Sequence, residues 1–262
     1  MTKFVEDNVR RFYDEEGWVK NDAGVLKDSA NWAPKLPAHR DHTQKIVKRI
    51  AAVFAEGGDL FLNCGCGPFS AGAMAYAANF ERRICVDIST RALSLCREKL
   101  NQQGLYMCMS MNDLGLKDST CDGTLCEHAL YHVNRDLQER TVREMIRVTK
   151  PGRPIVIIYS NPLSPLNVLE DLYRCTGINK LFGGGKLYFF RFRLGWWKRF
   201  GDSCDIEIRP FDPISARQAG VLLPAAFLSR LFFSACSRLE DRVPGLARQL
   251  WNYPAIILRK RP

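Results

Sequence analysis

The sequence predicts a single α/β domain built on a Rossmann-like, doubly wound and mostly parallel sheet. Three observations carry that expectation. From about residue 56 to 161, short apolar runs alternate with amphipathic helical stretches. The first run, "DLFLNCG", leaves through Gly65-Cys66-Gly67 straight into a stretch of small residues. The second run ends in Asp87, 20 residues beyond Gly67 (87 − 67). A chain of 262 residues is long enough to bury a large core around such a sheet.

Each element has its own warrant. Residues 3–17 place Phe4, Val5, Val9, Phe12 and Tyr13 at helical spacing, and 41–55 repeat that pattern. Residues 19–40, with Pro34 and Pro37, read as a loop, so 1–55 form an N-terminal helical cap. The core, 56–161, then runs strand "DLFLNCG", helix "SAGAMAYAANF", strand "RRICVDIS" and helix "TRALSLCREKLNQQ" with Ser89 or Thr90 as its cap. It continues with strands "LYMCMS" and "GTLCEHAL", the amphipathic helix "RDLQERTVREMIRVTK", and strand "RPIVIIYS" after the turn Pro151-Gly152. Beyond it, 162–262 hold a short helix "GWWKRF", strands "CDIEIRPF" and "YPAIILRKR", and two irregular segments near 162–194 and 214–249.

Composition narrows the function classes. Hydrophobic residues make up 46% and charged residues 25%, which is ordinary for a globular chain. The formal charge of +10 favours anionic partners or serves solubility alone. The first eighteen residues are too charged for a signal peptide, and no apolar run approaches the roughly 20 residues of a spanning helix. A soluble, cytoplasmic chain with room for peripheral membrane contact is the expectation. Ten cysteines without a C-x-x-C pair read as free thiols, with no metal site.

Gly65 and Gly67 let the backbone turn tightly against a ligand, and a carboxylate at Asp87 can accept both hydroxyls of a ribose. Helix capping is the competing reading of Asp87. A dinucleotide site would call for a third glycine where Ser70 stands and for amide N–H groups around a pyrophosphate, of which Pro68 removes one. A cofactor with ribose and adenine but no pyrophosphate fits better. A nicotinamide-dependent oxidoreductase remains the rival.

The motifs "FLNCGCGPFSAG", "ICVDIS", "LKDSTCDGTLCEHALYHV" and "EMIRVTKPGRPIVIIY" stand in an order and spacing that resembles the class I S-adenosylmethionine-dependent methyltransferases. The similarity covers roughly residues 58–160 and is greatest to the small-molecule branch, such as the enzymes of quinone biosynthesis. It implies a seven-stranded sheet with an antiparallel last strand. It also implies S-adenosylmethionine as the cofactor, with Asn63, Gly65, Cys66 and Gly67 under its methionyl part and Glu127 also in contact. Asp87 would hold the ribose, Ile88 would face the adenine, and Ser110, Met111 and Asn112 would flank the ring. The chain departs from the usual pattern at Asn63 and Ser110, where acidic residues are common, and at Phe69, where a glycine is.

Methyl transfer needs the acceptor and the methyl group held in line, and a base when the acceptor is a hydroxyl or an ammonium. "CEHALYHV" supplies Glu127, His128, Tyr131 and His132 as catalytic candidates, with His128 first because it ends the strand and titrates near neutral pH. Packing or cofactor contact competes with that role for both histidines. The segment "KLYFFRFRLGWWKRF", 186–200, carries seven aromatic and five basic residues and no acid. It reads as a lid, as a membrane or lipid-linked-substrate contact, or as a nucleic-acid surface. The irregular segments would form an apolar acceptor pocket with basic residues at its mouth, hinged at the glycines 183–185. The acceptor would be an O or N atom of a small molecule, a sugar or a lipid-linked compound. A nucleic-acid methyltransferase and a non-catalytic S-adenosylmethionine binder are the alternatives, and no (D/N)PP(Y/W) tetrapeptide supports the former.

Overall fold

The computed structural model describes residues 2–175 and 187–262. Seven strands form one sheet: β1 (Gly58–Cys64), β2 (Phe80–Asp87), β3 (Gly104–Cys108), β4 (Gly123–Glu127), β5 (Pro154–Ile158), β6 (Cys204–Asp212) and β7 (Tyr253–Lys260). Their spatial order is β3-β2-β1-β4-β5-β7-β6. β1 pairs in parallel with both β2 and β4, so the strand order switches sides beside β1 and a crevice opens at its carboxyl end. β7 runs antiparallel to both β5 and β6, as expected of the last strand.

Alternation along the strands sends side chains to two cores. Phe61 packs with Ile46, Ile50, Phe54 and Tyr76 on one face. Leu62 and Cys64 pack with Met145, Ile146 and Trp197 on the other. The first face is covered by α3 (Pro37–Val53), α4 (Ala71–Tyr76) and α5 (Thr90–Leu100). On the second, α6 (Gln138–Val148) buries Val142, Met145 and Ile146.

The N-terminal cap is more structured than its sequence suggests. α1 (Thr2–Phe12) gives way to a π-helical turn (Tyr13–Gly17), and the expected loop contains α2 (Lys27–Trp32) and the start of α3 at Pro37. The last part adds α7 (Pro165–Cys175), α8 (Ala216–Leu222), α9 (Ala226–Arg242) and α10 (Pro244–Leu250). α9 lies on α3 through Phe233, which stacks on His39 at 4.7 Å, and through buried Glu240. Glu240 accepts from Arg49 Nη1 and Trp251 Nε1, each at 2.7 Å.

Two expectations need correction. The strand "GTLCEHAL" stops at Glu127, because His128 adopts φ +57, which no strand accommodates. In "KLYFFRFRLGWWKRF", residues 187–193 carry no regular secondary structure, and Leu194–Phe200 form a 3₁₀ helix. Trp196, Trp197 and Phe200 are buried against Tyr159 and Cys204, so this half is core, with Lys198 and Arg199 exposed outside it. The glycines 183–185, and Lys186, lie outside the described residues.

Candidate functional site

The turn after β1 is held in a conformation that only a glycine-rich loop adopts readily. Gly65 has φ +63 and Gly67 φ +49. A Cβ on Gly65 would lie 2.4 Å from Ala129 Cβ and 3.0 Å from Met111 Cε, so the loop passes hard against the β4 exit. Phe69 shares the left-handed region at φ +54, which gives the glycine usual at this position a physical reason. Its fully buried ring and the Lys99 ammonium, which donates to Pro68 O and Phe69 O at 2.6 and 3.1 Å, hold that conformation.

Asp87 ends β2 beside this turn. Its Oδ2 accepts from Gly67 N–H and its Oδ1 from Ser89 N–H, both at 2.9 Å. Each oxygen keeps a lone pair. Ser89 caps α5 by accepting from Ala92 N–H, so the capping role falls to the serine and not to the carboxylate. Burial pushes Asp87 up to about 6.

Beneath the turn, Cys66, Cys85 and Cys96 bring their sulfurs within 4.8 Å of one another. Cys96 Sγ donates to Gly67 O at 3.0 Å. Thiol hydrogen bonds from Cys66 and then Cys96 draw Cys85 down to about 5. Nothing in the local spacing marks this convergence, since the three lie on a loop, a strand and a helix.

A cavity of about 1270 Å³ opens over the turn. Gly65, Cys66, Gly67, Asp87, Ile88, Ser110, Met111, Asn112, Glu127, His128, Tyr131 and His132 all line it, which brings together nearly every residue expected at the site. Asn63 does not line it. That residue is 2% exposed under the turn, with its Oδ1 unpartnered. The N-terminal cap overhangs the cleft, as expected of its helix, with Tyr13 stacked on Trp18 at 5.0 Å; Trp18, Asp28 and Trp32 are walls that the sequence did not signal. The ring of Trp18 covers Gly67, and Arg91 Nε donates to Trp18 O at 3.0 Å.

At the β4 exit, His128 stacks on Trp32 at 4.7 Å and shares a 3.1 Å hydrogen bond between Nδ1 and Tyr131 Oη. Burial, then the neighbouring His132, lowers His128 to about 3, so it is neutral at pH 7. His132 is also lowered by burial, to about 4. Its Nδ1 lies 2.8 Å from Tyr188 O, so Nδ1 carries the proton and Nε2 the lone pair. Glu127 accepts from Ser70 Oγ at 2.8 Å and is raised by burial.

These charges test which cofactor fits. Asp28, Asp87 and Glu127 all line the cavity, and all three are raised, chiefly by burial. Desolvated carboxylates favour a cation and disfavour a pyrophosphate. S-adenosylmethionine offers an ammonium, a sulfonium and a ribose diol, and carries no phosphate. The residues fit it and disfavour a dinucleotide.

Comparison with known proteins agrees. Residues 62–157 match the family model for a methyltransferase domain. Among solved structures the chain is similar to magnesium protoporphyrin IX methyltransferase from Synechocystis PCC 6803 with bound S-adenosylhomocysteine. There the TM-score is 0.60 at 13% identity, over 98% of this chain and 100% of that one. It is similar to the N-methyltransferase NodS from Bradyrhizobium japonicum with S-adenosyl-L-homocysteine (TM-score 0.56, 14% identity, 97% and 98% covered). A complex containing the Haloferax volcanii Trm112 methyltransferase activator also gives a TM-score of 0.60, at 16% identity, with 97% and 98% covered. No curated protein matches the chain. The fold is of the Rossmann-like class. Within it, residues 62–157 carry a methyltransferase domain, and S-adenosylmethionine is the cofactor that this domain and the similar structures support.

Proposed function

We propose that the chain methylates an O or N atom of a small acceptor with an apolar body, and that His128 takes the acceptor's proton. When bound, S-adenosylmethionine supplies a methyl group on a sulfonium. Asp87 would accept from the ribose hydroxyls, and Asp28 and Glu127 would neutralise the cofactor's positive charge. Gly65 lets its amino-acid part lie close to the turn. Ile88 and Met111 would bracket the adenine, with Ser110 and Asn112 as polar partners at its edge.

The acceptor's body would lie among Val47, Leu166, Phe189, Phe211 and Tyr253, which line the same cavity. As the new bond to carbon forms, the attacking hydroxyl or amine becomes acidic. A neutral imidazole can then take its proton even when intrinsically a weak base. The observation that carries this reading is His128 itself. It is held in the left-handed region at the β4 exit, clamped between Trp32 and Tyr131, and uncharged. A strained conformation so fully fixed by its neighbours is characteristic of working positions.

The test is single-turnover transfer of a labelled methyl group to a panel of hydroxylated and amino aromatic acceptors and to polar sugars. The ring-bodied acceptors should be methylated. His128→Gln should lower the rate about 10²-fold or more while S-adenosylhomocysteine affinity stays within about two-fold. Undiminished turnover in that variant would remove His128 as the base. Methylation of sugars alone would overturn the apolar acceptor.

A further inference from the structure

The chain presents an apolar face to solvent beside the mouth of its cavity. Val221 at the end of α8 is 73% exposed, and Phe227 and Leu231 on α9 are 70% and 60% exposed. Leu222 and Leu228 add to the same stretch. The face is built, not incidental. On α9 the buried side is Ser229, Phe233, Cys236 and Glu240, at helical spacing against α3. The opposite side carries Phe227, Arg230, Leu231, Ser234 and Arg238, all exposed and at the same spacing.

Charge indicates what would cover it. Between Asp212 and Glu240 the sequence holds Arg217, Arg230 and Arg238 and not one acidic residue. Phenylalanine and leucine flanked by arginine on one side of a helix form the pattern that lies in a bilayer interface, with apolar groups among the acyl chains and guanidinium groups at anionic headgroups. The face is also continuous with the cavity, because Val221 and Leu222 are exposed and line it too. No helix among the described residues is long and apolar enough to cross a membrane, so such contact would be peripheral.

We propose that the 220–238 face docks on an anionic bilayer surface, so that an amphiphilic acceptor reaches the cavity from the membrane through the mouth at Val221 and Leu222. The second half of this proposal rests on the apolar-acceptor reading above, whereas the docking itself does not. The segment 186–200, which the sequence offered for that contact, keeps its tryptophans in the core; the exposed apolar groups lie here instead.

Sedimentation of the whole protein with vesicles tests the docking. It should partition onto an equimolar phosphatidylcholine–phosphatidylglycerol mixture at low salt, and far less onto phosphatidylcholine alone. The double variants F227S/L231S and R230Q/R238Q, all at exposed positions, should each weaken partitioning roughly ten-fold or more. S-adenosylhomocysteine binding and methyl transfer to a water-soluble acceptor should be unchanged in both, so that the vesicle result judges the docking alone. Absence of wild-type partitioning, or equal partitioning by F227S/L231S, would overturn the proposal. So would a wild-type dimer in solution that F227S/L231S splits, which would make the face a subunit interface.

Discussion

Replacing Asp87 by asparagine separates binding from folding. The carboxylate accepts Gly67 N–H and Ser89 N–H, each at 2.9 Å, and asparagine can accept only one of them. Losing one hydrogen bond to a charged group costs about 1.5–3 kcal/mol. Against that, keeping Asp87 ionised at pH 7 when the fold raises its pKa from 3.8 to about 6 costs the folded state about 3 kcal/mol, which the neutral side chain removes. The two nearly cancel, so Asp87→Asn should melt within about 5 °C of the wild type at pH 7.5. Cofactor affinity should not be spared, since a ribose acceptor and a charge facing a cation are both lost. A weakening of about 1–3 kcal/mol, or roughly 5–150-fold, is expected from calorimetry with S-adenosylhomocysteine. For this group the folded state holds the proton more tightly. Its contribution to stability is full below pH 3.8 and lost as pH rises through about 6, a slope the variant should lack. A variant that melts much lower, with affinity unchanged once folded, would show that Asp87 only pins the turn.

Gly65→Ala and Gly67→Ala should differ although both residues lie in the left-handed region. At Gly65 the new methyl meets Ala129 at 2.4 Å, and a loss of about 2–4 kcal/mol with abolished cofactor binding is expected by thermal melting and calorimetry. At Gly67 it meets only the Trp18 ring at 3.0 Å, which can move, so about 1–2 kcal/mol should be lost. Trp197→Ala should cost about 3–5 kcal/mol in urea unfolding, as for a core aromatic, before any effect on an acceptor's KM. Acid should destabilise the cofactor-free protein. His42, His128 and His132 are lowered to about 4, 3 and 4, so as pH drops from 6.5 the unfolded chain takes up protons there that the folded chain does not, and stability falls. Asp28 and Asp87, both raised to about 6, oppose this, as does Glu127. The imbalance approaches one proton, so a loss of up to about 1.4 kcal/mol per pH unit between 6.5 and 4 should appear in melts across pH.

Much of the sheet was legible because each strand carries its own boundary. Gly65 and Gly67 stop β1, Asp87 stops β2, and Pro151-Gly152 precede β5. Ile88 and Ser110–Asn112, the positions that the resemblance implied, line the cavity. That the N-terminal helix overhangs the cleft was legible, but the particular residues of its wall were not. Tyr13, Trp18, Asp28 and Trp32 reach the cavity through contacts with residues 67–132, and nothing in their local spacing marks them. The aromatic run 186–200 left lid, membrane contact and core open. Arg199 lies over the ring of Trp196 at 4.7 Å and pairs with Glu139, and the indoles pack inside. In sequence His128 stands out for the ordinary pKa of an imidazole, yet its walls strip it of water and keep it neutral.

The cap over Gly67 ties the start of the chain to the site. Trp18 covers the turn, Ser89 Oγ donates to Asp14 Oδ1 at 2.5 Å, and Arg91 clasps the carbonyls of Asp14 and Trp18. This wall of the cavity is therefore fastened by polar side chains at the start of α5 and not by the sheet. Loosening residues 14–18 would uncover Gly67 without disturbing a single strand.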